Sequence, residues 1–236
     1  MLEARDRLVL DELLRVQLVL RMRKMRRLNQ ASGVKHQVDS ALLTKFVEGL
    51  PFALTGAQRK TMSEISVDLK SEQPMHRLLQ GDVGSGKTLV AMYALLIAVT
   101  EGHQGALMAP TEVLAEQHYL NLAELAKGLE VEDQSTLTGA RPISVKLLTN
   151  RVTGSDRRRV VQGMEEGSVD LVIGTHALIQ EGIRFSSLSV VVVDEQHRFG
   201  VEQRSVLRER GRDDGKWRHL LFMRATPIPG RAGMSV

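Results

Sequence analysis

From residue 50 onward, apolar and polar positions alternate in blocks of two lengths. Short apolar, often β-branched runs at Met75–Leu79, Gly105–Ala109, Val145–Leu148, Asp170–Gly174, Val190–Val193 and His219–Met223 have the character of strands. Between them, Ala57–Leu69, Thr88–Thr100, Glu112–Ala126, Ser155–Glu166 and Val201–Glu209 carry helical spacing. Strands alternating with helices predict a parallel sheet flanked by helices on both faces and joined by right-handed crossovers. The expected fold class is therefore α/β. Ser189-Val190-Val191-Val192-Val193 sharpens the point, because a continuous β-branched run suits a strand buried on both faces.

The first 49 residues read differently. Residues 2 to 28 predict one long N-terminal helix, with Leu10, Leu13, Leu14, Leu18, Met22 and Met25 forming an apolar stripe. Arg21, Arg23, Lys24, Arg26 and Arg27 gather at its C-terminal end, where cations suit the helix dipole. The stripe reads as a packing face, and the basic end as a solvated or phosphate-contacting patch. Residues 29 to 50 lack strong periodicity and read as a connector, with Ser32-Gly33 as a break. Two parts follow: a linker helix and connector over 1–49, and a globular lobe over 50–236.

Composition narrows the class. A chain of 236 residues can bury one good-sized core with a small appendage. It has no apolar run of membrane-spanning length free of charges. Glu3, Arg5, Asp6 and Arg7 stand where the apolar region of a secretory signal has to begin. With no cysteine there is neither a disulfide framework nor a thiolate metal site, and the seven histidines show no metal-ligand spacing. A soluble cytoplasmic protein is the expectation. A net charge of +4 and a pI of 9.6 are compatible with nucleic acid as a partner without selecting it.

Candidate chemistry enters with Gly81-Asp82-Val83-Gly84-Ser85-Gly86-Lys87-Thr88, which fits Gly-x-x-x-x-Gly-Lys-[Ser/Thr] between a strand and a helix candidate. Such a loop surrounds phosphates with backbone N–H groups, and the following helix presents its positive end to them. In this arrangement Lys87 reaches the β- and γ-phosphates and the Thr88 hydroxyl helps hold Mg²⁺. The valine strand ends in Asp194-Glu195-Gln196-His197. Ligands of open parallel sheets sit at the carboxyl ends of strands, so this end and Gly81 can share one edge. Asp194 then completes the Mg²⁺ site directly or through water. Glu195 is placed to orient or deprotonate the water that attacks the γ-phosphate of ATP.

In order, these motifs resemble the first motor lobe of a superfamily 2 nucleic-acid translocase, and more narrowly the RecG-type ATP-dependent DNA helicases. The resemblance rests on Leu50-Pro51-Phe52-Ala53-Leu54-Thr55-Gly56-Ala57-Gln58, Gly81–Thr88, Ala109-Pro110-Thr111-Glu112, Gly174-Thr175-His176-Ala177-Leu178-Ile179-Gln180, Asp194–Gly200 and Ala225-Thr226-Pro227-Ile228-Pro229. It implies a RecA-like P-loop NTPase lobe that uses ATP and Mg²⁺ to act on branched DNA in repair and recombination. It further implies that Gln58 reads adenine, that Thr111, Thr175 and His176 face DNA, and that His197 and Thr226 couple nucleotide state to strand movement. The bacterial transcription-repair coupling factor is a related alternative; it typically carries Phe at the position of Ser85 and Glu at that of Gln196.

Some positions depart from the family pattern. Arg224 stands where Thr is usual, and Gly230-Arg231-Ala232-Gly233 replaces a usual Arg-Thr-Leu-Ala. The family's wedge domain and second motor lobe are also absent from these 236 residues, so binding of MgATP without efficient hydrolysis or unwinding is expected of this stretch alone. A non-catalytic or decayed nucleotide-binding domain stays open beside the helicase reading. A small-molecule P-loop kinase or transporter ATPase is a third possibility, without the expected lid or signature motif.

Overall fold

The computed structural model describes residues 12–19, 21–22, 32–134, 136, 138–180, 182–195 and 216–225. Elements are labelled in chain order as α1 (Ala41–Glu48), α2 (Gly56–Leu69), β1 (His76–Gly81), α3 (Lys87–Val99), β2 (Gln104–Met108), α4 (Glu112–Leu125), β3 (Glu130–Glu132), β4 (Ala140–Pro142), β5 (Val145–Leu148), α5 (Gly154–Glu166), β6 (Leu171–Gly174), β7 (Leu188–Asp194) and β8 (His219–Ala225). Six strands form one wholly parallel sheet in the order β1-β8-β7-β2-β6-β5.

The side-chain period of two explains how the valine strand is used. Val190 and Val192 of β7 enter the larger core, with Leu107, Leu221 and the helix residues Ile65, Leu95 and Leu122. Val191 and Val193 enter a second core on the opposite face, with Met108, Met164, Val172 and Leu220. Both faces are therefore covered, as parallel strands require. Helix α3 is apolar almost all round and buries ten of its residues, which identifies it as the central helix of the larger face.

Two elements differ from the sequence expectation. Residues 29 to 50 contain α1, capped by the Ser40 hydroxyl, which accepts from the Leu43 N–H at 3.2 Å. Leu43 and Phe46 pack into the larger core, so eight residues suffice because tertiary burial replaces periodic signal. The antiparallel pair β3–β4 was not expected either, at three residues a strand. The expected packing role of the N-terminal stripe is also not met among the described residues. Residues 12–19 and 21–22 are helical, with Leu13, Leu14, Leu18 and Met22 about half exposed. The expected helix Val201–Glu209 lies outside the described residues. No described helix is long and apolar enough to cross a membrane.

Candidate functional site

The carboxyl ends of β1, β8, β7, β2 and β6 meet along one sheet edge, where register pairs Gly81 with Ala225, Asp194 with Met223, and Met108 with both Gly174 and Val193. Every described residue of the two predicted phosphate motifs sits on this edge. Strand β8 lies between β1 and β7. Neighbouring strands are about 4.8 Å apart, so Asp194 and Gly81 are separated by roughly 10 Å of sheet. A metal ion and its water can bridge that span.

The phosphate loop is built of backbone. Gly84 and Gly86 have φ of 81° and 82°, the left-handed region that a side chain disfavours. A Cβ on Gly81 meets Ser85 Oγ at 2.7 Å, and one on Gly86 meets Gln58 Nε2 at 2.3 Å. Gly86 is also the N-cap of α3, so the first free N–H groups of a buried helix open into the loop. Lys87 Nζ donates to the carbonyls of Gly81 and Asp82, both at 2.7 Å. The ammonium thus lies along the loop it serves, while Asp82, Val83, Gly84 and Ser85 are exposed. Glycine walls, helix N–H groups, an inward ammonium and the adjacent Thr88 fit a polyphosphate with a hard cation.

Gln58 reaches this loop from α2. Its backbone N–H donates to Thr55 Oγ1 at 3.2 Å and its Oε1 accepts from the Thr55 N–H at 2.9 Å, a reciprocal capping box. The remaining amide hydrogens point at the loop, Nε2 donating to the Ser85 carbonyl at 3.0 Å. A residue expected to read adenine is held against the phosphate loop by its own helix cap.

At the end of β7, Asp194 Oδ2 lies 2.8 Å from His118 Nε2 of α4. Both side chains are nearly buried, and His118 Nδ1 has no hydrogen-bond partner among the described residues. The ring therefore fixes the orientation of the carboxylate. Sequence reasoning missed His118, because no local motif links a mid-helix histidine to a carboxylate 76 positions away. Glu195 has φ of 51°, an uncommon conformation for a non-glycine residue. Its N–H donates to the Met223 carbonyl at 3.0 Å, and its Oε1 accepts from the Ala225 N–H at 3.4 Å. Such strain gathers at functional sites when the surroundings hold it in place.

The three residues expected to face DNA lie farther along the same edge. Thr111 caps α4, its hydroxyl accepting from the Leu114 N–H at 3.3 Å. Thr175 is 2% exposed and its hydroxyl accepts from the Ala177 N–H at 3.5 Å, so its side chain shapes the turn instead of facing outward. His176 is exposed, with Nε2 at 3.4 Å from Asn150 Nδ2. Arg224 is exposed at a β8 position opposite Gln80 of β1, one register step from the phosphate loop. Gln196, His197, Arg198, Phe199 and Thr226 lie outside the described residues.

Comparison with known proteins agrees with this geometry. The family model for DEAD/DEAH box helicases matches residues 55–232. The chain is 44% identical over 233 residues to the ATP-dependent DNA helicase RecG of Bacillus subtilis, covering 99% of this chain and 32% of that protein. It is likewise 44% identical over 234 residues to the RecG of Haemophilus influenzae, again 99% against 32%. Among solved structures, RecG bound to a three-way DNA junction superposes with a TM-score of 0.71 at 40% identity, over 88% of this chain and 26% of that one. The chain thus spans about a third of the length of the curated relatives it matches.

Proposed function

Because this chain belongs to the DEAD/DEAH box helicase family and its sequence is of the RecG type, we propose that it is the ATP-binding motor lobe of a helicase acting on branched DNA in repair and recombination. The observation that carries the reading is the phosphate loop and the Asp194–Glu195 strand end on one sheet edge, separated by β8.

In this reading Gly81, Asp82, Val83, Gly84, Ser85 and Gly86 surround the β- and γ-phosphates with backbone N–H groups. Lys87 leaves the Gly81 and Asp82 carbonyls for the phosphate oxygens. Gln58 turns its carboxamide to the adenine edge, where one group both donates and accepts. Thr88 and Asp194 would hold Mg²⁺, which would supply positive charge to the phosphate oxygens. Glu195 orients the attacking water and takes its proton. Thr111 and His176 meet the DNA backbone beside the ATP edge, and Thr175 braces the turn that carries His176. His197 and Thr226 couple nucleotide state to that contact.

Hydrolysis and translocation call on a second lobe that supplies phosphate-neutralising arginines across the nucleotide. The division into a linker over 1–49 and a lobe over 50–236 belongs to this reading, although the packing of α1 argues for counting residues 33–48 with the lobe.

Calorimetric titration of MgATP into the 236-residue chain tests the reading, with Lys87→Ala as its control. Saturable binding that falls by about tenfold or more in the variant is expected, since one charge-assisted contact to phosphate is worth roughly 1.5–3 kcal/mol. Equal affinity in parent and variant, or none in a folded parent, overturns it.

A further inference from the structure

The phosphate site uses one edge of the sheet; a second cluster of chemistry-bearing side chains sits at the other. Residues 33 to 38 run along the amino ends of the strands. Gly33 donates to the Glu72 carbonyl at 2.6 Å, the Val34 carbonyl lies 2.6 Å from His219 Nε2, and the His36 N–H donates to the Leu69 carbonyl at 2.8 Å. The path brings His36 against the turn between α3 and β2, which carries Glu101 and His103.

His36 is 1% exposed, and its Nδ1 lies 2.9 Å from Glu101 Oε2. Its Nε2 is buried and has no hydrogen-bond partner among the described residues. An ion shared with Glu101 has to bind Nδ1, the ring nitrogen on the Glu101 side, with the ring proton moved to Nε2. The His103 ring stands edge-on to His36 with centroids 5.3 Å apart, and Ser187 Oγ, 2.6 Å from His103 Nδ1, fixes its orientation. One ligand atom from each of His36, Glu101 and His103 lies within 4.8 Å of the other two. Ligand atoms sharing one zinc ion at about 2.0–2.2 Å lie roughly 3.3 Å from each other, so closing the triangle takes side-chain shifts on the order of 1 Å.

We infer that His36, Glu101 and His103 form a binding site for a divalent transition metal, zinc above all, which ties residues 33–38 to the turn between α3 and β2. Two imidazoles and one carboxylate are a borderline-soft donor set that suits zinc, cobalt and nickel over magnesium or calcium. His36 lies in the interior while Glu101 and His103 lie toward solvent, so the ion has an entry path and water can take its fourth position. Burial, followed by the nearby charges of His219 and His103, holds His36 down to a pKa of about 3, so the ring is neutral and ready to ligate at neutral pH. The site lies at the opposite end of the strands from the phosphate loop and does not depend on the helicase reading.

The test uses the full 236-residue chain stripped with a chelator. Co²⁺ is titrated in while visible absorption is followed, and Zn²⁺ is then added as competitor. One Co²⁺ per chain with the intense bands of four-coordination is expected, displaced by Zn²⁺, and Zn²⁺ should raise Tm. Glu101→Gln and His103→Asn should each weaken binding by about tenfold or more, with the metal-free Tm of each near that of the parent. No binding at tens of micromolar Co²⁺ overturns the site, as does binding that survives both substitutions, because the ion then sits on other residues. X-ray absorption of the zinc-loaded parent reads the ligand shell directly, independent of how the variants fold. Imidazole scattering from two rings is expected, and a shell of oxygen alone overturns the assignment.

Discussion

A Cβ placed on Gly174 meets the Leu148 carbonyl oxygen at 2.2 Å, a main-chain atom held by the β5–β6 register that pairs these two residues. Nothing flexible stands there to give way. Gly174→Ala should therefore cost about 3 kcal/mol, in the range of severe core substitutions. For a domain of this size that is a fall in Tm of roughly 6–12 °C, read by thermal unfolding; a fall of less than two degrees contradicts the argument. The same residue shows what a sequence discloses at this scale. Gly174 opens a recognisable motif, but the carbonyl that demands glycine there is 26 positions earlier in the chain. Residue types in the phosphate loop announce their chemistry, because glycines, lysine and threonine at fixed offsets have few other uses. The burial of Thr175, the left-handed backbone of Glu195 and the reach of His118 to Asp194 are consequences of packing between distant elements, and no local pattern encodes them.

Among elements, legibility followed length and burial. The six strands of the sheet and the helices α2 to α5 match the apolar pattern to within two residues at their ends, because each is long enough or buried enough to impose its period. Helix α1 and the β3–β4 pair escaped, and the pair shows why. Apart from Val131, which packs against the larger core, it is held by charge. Arg141 of β4 donates to both carboxylate oxygens of Asp170, at 2.6 and 2.8 Å, and pairs with Asp133 at 3.0 Å. Asp170 is 7% exposed and also accepts from the Ser144 N–H at 2.7 Å. The Asp170 hydrogen bond, with charge attraction, holds the Arg141 guanidinium above its ordinary pKa. Arg141→Met leaves a nearly buried carboxylate without its cation and should cost about 2–4 kcal/mol. Arg141→Met combined with Asp170→Asn should recover part of that loss, since the uncompensated charge is gone. Urea unfolding of the single and double variants measures both; a double variant no more stable than the single one refutes the charge argument.

On the scale of the whole molecule, the sheet separates two chemistries by the length of its strands. The carboxyl edge carries the Gly81–Thr88 loop and the Asp194–Glu195 carboxylates, and the amino edge carries His36 in ring contact with both His103 and His219. The seven histidines show no metal-ligand spacing along the chain, yet the crossover topology gathers these three. This separation makes acid stability a property of the amino edge. His36 is held at about 3 by burial first, then by repulsion from His219 and His103, while its Nδ1 lies 2.9 Å from Glu101. Burial also lowers His219, against an opposing hydrogen bond to the Val34 carbonyl. Both folded values lie below the ordinary value near 6.5, so between that pH and the folded value the unfolded chain binds more protons than the native one. Stability is then fully present above pH 6.5 and is lost as pH falls, at a slope for His36 approaching about 1.4 kcal/mol per pH unit. Carboxylates contribute little above pH 5, which leaves a window from about 6.5 to 5 in which the histidines dominate. In chelator, the urea midpoint should fall steadily across that window, and His36→Gln should flatten the profile even though it lowers the midpoint at pH 7.5. A profile that is flat in the parent contradicts the buried neutral pair. One that steepens in the variant places the titration elsewhere. Because these groups lie at the far end of the strands from Lys87 and Asp194, the acid loss should track unfolding of the lobe, and Lys87→Ala should leave the shape of the pH profile unchanged.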